Sequence, residues 1–110
     1  MKKLIELTAD YNQSHTIALE NGETFTLQLQ YSTLQRGWFF TIIYNDFILR
    51  NIRLTAHWNV LLPYVNIIPF GIMVTTADET EPFFLEDFIN NRVKIFILTQ
   101  TEALELEKTL

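Results

Sequence analysis

The sequence predicts a mainly β protein, an antiparallel β-sandwich or small β-barrel of about seven strands with short helical segments. Three observations predict it. Val, Ile, Thr, Phe, Tyr and Trp make up 44 of the 110 residues, and these types suit a pleated, half-buried surface. Apolar and polar residues alternate with period two along several segments. Connections in the first half are hairpin-length, with Asn21-Gly22 the strongest turn signal, because a type I′ turn needs positive φ at both central residues.

The elements follow in order. Residues 3–9 read as a first strand and residues 14–20 as a second, with Ile17 and Leu19 opposite Thr16 and Ala18. Residues 23–31 are the cleanest case. Phe25, Leu27, Leu29 and Tyr31 share one face, and Thr24, Thr26, Gln28 and Gln30 the other, as in a strand with one wet side. Residues 37–45 put Trp38, Phe40, Ile42 and Tyr44 on one face and Phe39 and Ile43 on the other. A strand apolar on both sides is central or covered. Asn45-Asp46 reads as a turn. Residues 47–54 then return, with Ile48, Ile52 and Leu54 in phase and Arg50 on their face at a sheet edge, its charged head in water. Trp58 to Ile68 does not alternate and fits one or two helical turns. Residues 70–77 and 92–100 are the last strands, and Phe84, Leu85 and Phe88 fit a helical turn between them. The expected organisation is one β domain over 1–100 and an acidic tail or short helix over 101–110.

Charge and cysteine content narrow the function classes. A net charge of −5 argues against a dedicated nucleic-acid binder, which needs a basic patch to displace counterions. With no cysteine there is no disulfide framework, thiolate metal site or Cys nucleophile. Lys2 and Lys3 resemble the basic start of a signal peptide, but Glu6 and Asp10 interrupt the apolar stretch that should follow, so no signal peptide is expected. Leu54 to Ala77 carries no Asp, Glu, Lys or Arg. It is long enough to span a bilayer, but Pro63, Pro69 and the Asn59 and Asn66 amides would leave polar groups unsatisfied in lipid. The expectation is protein interior or interface, with no membrane.

Catalytic patterns are missing. His15 and His57 are the only histidines and stand more than forty residues apart, without the ligand spacing of a metal site. Two structural histidines are the simpler reading. Asp78, Glu79, Glu81, Glu86 and Asp87 crowd ten residues, but they lack the alternation and glycine of a calcium loop and read as a solvated acidic loop. Ser14 and Ser32 lie in no glycine-flanked elbow. Three glycines are too few for a phosphate-cradling loop or dinucleotide fingerprint. The expectation is a protein that is not an enzyme and holds no cofactor and no metal.

The acid-free region from Phe47 to Ala77 is the sequence's main oddity. Trp58, Leu61, Leu62, Tyr64, Val65, Ile67, Ile68 and Phe70 are more apolar bulk than a connection needs. Part of it belongs to the core. The remainder, with two arginines nearby, has the Trp, Tyr and Arg signature of an interface centre. Arg50, Arg53, Trp58, Tyr64 and Ile67 are the candidate protein interface.

The order of features resembles that of the small baseplate plug proteins of contractile-tailed bacteriophages and prophages. The matching features are the Ile/Leu-rich opening Leu4-Ile5-Glu6-Leu7 and Gln13 before a strand. Gly22 follows, ahead of the alternating run Phe25 to Tyr31. Next come Gly37-Trp38 running into Phe39-Phe40, then Ile52 and Leu54, and the pair Leu61-Leu62. Gly71-Ile72-Met73-Val74 and the terminal strand Val93 to Leu98 complete the set. The chain departs from the family pattern at Asn45-Asp46, where Asp-Gly is usual. The resemblance implies a structural component of the tail tip that plugs or lines the central hub. It also implies other tail or baseplate hub proteins as partners, a homo-oligomer in the assembled tail, and no catalytic residues. Such a protein is made in the bacterial host cytoplasm and resides in the virion tail. The alternative is a non-viral β-sandwich module that binds a carbohydrate or peptide, which an exposed Trp38 or Trp58 beside polar groups would favour.

Overall fold

A computed structural model describes residues 2–78 and 80–109. Seven strands form two antiparallel sheets that do not close into a barrel. Strands β2 (Asn12–Ala18), β3 (Thr24–Ser32), β4 (Gly37–Tyr44) and β5 (Phe47–Arg53) make a four-stranded meander in chain order. Strands β1 (Lys2–Lys3), β7 (Val93–Thr99) and β6 (Phe70–Thr76) make the second sheet, ordered β1-β7-β6. Helix α1 (Gln100–Thr109) follows β7 directly. Among the described residues no helix is long and apolar enough to cross a membrane.

The core lies between the sheets. Phe25, Leu27, Leu29, Trp38, Phe40 and Ile42 from the meander face Phe70, Ile72, Val74, Val93, Ile95 and Ile97. The Phe25 and Phe70 rings stack across the gap with centroids 4.2 Å apart. Each inward set is the apolar half of an alternating strand, so the period-two pattern translates directly into burial.

Four local readings change. Residues 3–9 were expected as a strand, but pairing stops at Lys3, and Leu4 N–H donates one further bond to Ile95 C=O. The chain must then cross to the other sheet, roughly 10 Å away. Leu4 and Leu7 pack against the core on the way.

The Asn21-Gly22 turn is not type I′. Gly22 alone has positive φ, at 87°. Leu19 and Glu23 close a three-residue loop through Leu19 N–H to Glu23 C=O. Parity explains it: this loop pairs Ile17 with Phe25, both inward, whereas a two-residue loop would set an inward residue against an outward one.

Strand β5 is bulged. Phe40 pairs with Ile52 and Ile42 with Leu49, so Arg50 and Asn51 together oppose Thr41. Asn51 takes a φ of 52° and its N–H donates to Thr41 Oγ1 at 3.2 Å. The extra residue reverses the phase. Leu49 points inward and Ile48 is 44% exposed, so Ile48 is not in phase with Ile52 and Leu54.

The acidic loop is not simply solvated. Asp87 is 1% exposed and is held as described below.

Candidate functional site

The acid-free segment between β5 and β6 is built on one amide. Asn59 is 1% exposed. Its Oδ1 accepts the N–H groups of Leu61 at 3.0 Å and Ile72 at 3.1 Å. Two buried backbone donors, one in the segment and one on the outer edge of β6, thus find an acceptor. A Cβ on Gly71 would lie 3.0 Å from Asn59 Oδ1, so the glycine makes room for the amide. His57 pairs with Val74 through both backbone groups, and Val60 N–H bonds Ile72 C=O. The segment therefore lies along the outer edge of β6. A 3-10 turn over Leu62–Tyr64, with Pro63 in its first turn, carries the chain round.

This segment divides between core and surface. Leu61, Ile68 and Phe70 are fully enclosed. Trp58 is half-buried and stacks on the His57 ring at 5.7 Å. It borders a cavity of about 150 Å³ with Leu62, Val65, Ala103 and Leu104, so α1 closes over it. Tyr64 is half-buried against Phe47, ring centroids 6.3 Å apart. Ile67 is 54% exposed and Val65 is exposed beside it in sequence.

The two arginines behave differently. Arg50 stands exposed in the β5 bulge. Arg53 donates from Nη1 and Nη2 to Gln35 C=O, both at 3.2 Å, and from Nη2 to Arg36 C=O at 3.0 Å. Its guanidinium sits 5.5 Å from the centre of the Phe39 ring, within cation–π range. A Cβ on Gly37 would approach Arg53 Nη2 to 2.6 Å. Arg53 thus clamps the β3–β4 hairpin. It lies six residues along β5 from Phe47, roughly 20 Å at the strand rise. The five candidate residues therefore do not form one patch. Trp58, Tyr64 and Ile67 belong to the segment before β6, while Arg53 belongs to the hairpin end.

At that end the structure brings together residues that sequence reasoning missed. Arg53 shares a groove of about 500 Å³ with Tyr31, Gln35, Arg36, Phe83 and Phe84. Phe84 is 57% exposed. Its carbonyl accepts the Trp38 Nε1 proton at 3.1 Å, so Trp38 is enclosed and offers no ring or N–H to a ligand. The available signal was Pro82-Phe83-Phe84, two adjacent aromatics inside an otherwise acidic loop.

An ion-pair network holds this aromatic pair in place. Arg92 grips Asp87 with two bonds, Nε to Oδ1 at 2.7 Å and Nη2 to Oδ2 at 2.8 Å. Nη1 reaches Asp78 Oδ1 at 2.8 Å. Asp87 Oδ2 also accepts the Phe84 N–H at 2.9 Å. The Asp87 carboxylate is the main reason Arg92 is held more basic than an ordinary arginine. Asp78 is held below the usual carboxylate range, first by the Thr80 hydroxyl and also by Thr80 N–H and Arg92. Among the described residues no three His, Asp or Glu side chains gather as a metal site.

Comparison with curated proteins returned no match. The family of the cyanophage Pam3 baseplate plug, gp18, matches residues 2–101, which takes in both sheets and the segment before β6, and the chain belongs to this phage baseplate plug family.

Proposed function

We propose that this protein is a structural subunit of a bacteriophage or prophage tail, plugging or lining the central hub of the tail tip. Family membership over residues 2–101 carries the reading. A baseplate plug is a part of an assembly, so binding surfaces rather than a reacting centre do its work. Its partners are other tail or baseplate hub proteins, and it is a homo-oligomer in the assembled tail. It is made in the host cytoplasm and ends in the virion tail.

Two surfaces support such contacts. Exposed Ile67 and Val65 and half-buried Trp58 and Tyr64 give the segment before β6 apolar and aromatic surface. Arg53, Arg36, Phe83 and Phe84 present the arginine and aromatic side chains that dominate interface centres, with Arg50 on the same strand edge. The test is mass spectrometry of gradient-purified tails from a phage or induced prophage that encodes the chain. The chain is expected at a fixed ratio to the hub proteins. Tails that lack it, yet are complete and infectious, overturn the reading.

A further inference from the structure

The groove at the hairpin end carries positive charge in a molecule of net charge −5. Arg36 and Arg53 both line it. Arg53 bonds only main-chain carbonyls, those of Gln35 and Arg36, and these bonds use at most three of its five N–H donors. Arg36 is exposed. Among the described residues neither arginine has a carboxylate within ion-pairing distance. The acids of the adjoining loop are turned elsewhere: Asp78 and Asp87 answer Arg92, and Glu81 accepts the Ala56 N–H. Among the described residues that line the groove there is no Asp or Glu.

The apolar half of the groove is fixed in place. Tyr31 Oη donates to Phe83 C=O, Trp38 Nε1 to Phe84 C=O, and Phe84 N–H to Asp87. The backbone is held at three points, while the Phe83 and Phe84 rings stay 37% and 57% exposed. The Arg53 guanidinium lies 6.0 Å from the centre of the Phe83 ring, so cation and ring form one surface. Such a surface needs little further ordering when an occupant arrives.

We propose that this groove binds an acidic segment of a partner protein, an Asp or Glu side chain beside a bulky apolar one. The arginines select the carboxylate, which accepts paired N–H bonds from a guanidinium. The rings select its apolar neighbour. A lone inorganic anion would leave Phe83 and Phe84 bare, and about 500 Å³ holds several side chains. Nucleic acid fits less well. Burial, then the charges of Asp87 and Glu86, push the Tyr31 hydroxyl up, so negative charge begins at the Tyr31 end. A strand with a phosphate at every nucleotide would run into that field, whereas a peptide brings its charge at one point. A second copy also fits less well. Its acidic helix α1 follows Thr99, which pairs with Phe70, and Phe70 stacks on Phe25, seven residues along β3 from Ser32. Groove and helix therefore lie at opposite ends of the sandwich, and copies joined that way meet head to tail in an open series unless a ring closes. That the partner is a tail or hub protein rests on the plug reading; the chemistry of the segment does not.

The test has two arms. In the first, amide NMR shifts of the labelled full chain are followed during titration with acetyl-Leu-Glu-Phe-amide and acetyl-Leu-Gln-Phe-amide, up to about 10 mM for so small a contact. Shifts confined to residues 33–37, 53 and 83–84 are expected, with the glutamine peptide at least about fivefold weaker. Arg36→Gln should abolish that preference and Arg36→Lys keep part of it, while Phe84→Ser should weaken both peptides alike. Equal binding of the two peptides, no binding at all, or tighter binding of an oligothymidylate at the same residues overturns the inference. In the second arm, carbodiimide is added to purified tails carrying Arg36→Lys, and it joins the installed amine to any carboxylate in contact. A cross-link to an Asp or Glu beside an apolar residue of another tail protein is expected. A cross-link only to a second copy, or none in tails that contain the chain, overturns the inference. Tails without the chain count against the plug reading alone, and the first arm then decides.

Discussion

Two connecting segments of opposite composition hold this sandwich together, and they do so by different physics. Residues 54–69 contain no charged side chain, and residues 78–92 carry five acids and one arginine. The first segment buries Leu61 and Ile68 and satisfies its irregular backbone through Asn59. The second buries a carboxylate and closes on it with a guanidinium. In both, one polar side chain fixes a non-repeating path that backbone pairing alone does not complete. The difference lies in how badly each fails when that side chain is lost. An amide leaves unsatisfied dipoles, whereas half an ion pair leaves an unsatisfied charge.

The largest expected effect is therefore on the acidic side. Arg92→Ala leaves Asp87 buried and unpaired, and should cost about 3–5 kcal/mol in a urea-unfolding measurement. A cost below about 1 kcal/mol would mean the network is surface decoration. Asn59→Ala strips the acceptor from two buried N–H groups and should cost about 2–3 kcal/mol, clearly less than the arginine. Equal losses would erase the contrast between the segments. Gly71→Ala presses a methyl against the Asn59 amide and should cost about 1–2 kcal/mol. Combining it with Asn59→Ala should be less than additive, because the two changes share one contact. The smallest effect is on pH. The Asp78 carboxyl is held low in the folded chain, so its contribution is present above its unfolded value of about 4 and is lost as pH falls through the lowered folded value. Between pH 7 and pH 3 the melting temperature of Asp78→Asn should fall by slightly less than that of the parent.

Legibility tracked regularity. The strands were readable because alternation maps one-to-one onto burial, as in Phe25, Leu27 and Leu29. The bulge at Arg50 and Asn51 was not, because one inserted residue reverses a phase without changing composition, and Ile48 was placed on the wrong face as a result. The Asn21-Gly22 loop was located correctly. Its type was decided by the parity of residues on the flanking strands, a pairing constraint that the dipeptide does not carry. The apolar excess from Trp58 to Phe70 was readable as an oddity, but its split between core and surface depends on where β6 and α1 lie. In the chain Arg53 reads as an interface arginine. In the fold it is the clamp of a hairpin seventeen or eighteen residues away. The grip of Arg92 on Asp87 and the exposure of Phe84 were hidden for the same reason, since an acidic run reads the same whether or not an arginine returns to it.

A cryo-electron-microscopy reconstruction of the intact tail tip is the sharpest test of the proposed plug role. Density for this two-sheet fold is expected at the central hub, with the segment before β6 or the Phe83-Phe84 groove against a hub protein. A resolved hub with no such density, or the fold found only away from the tail axis, would contradict it.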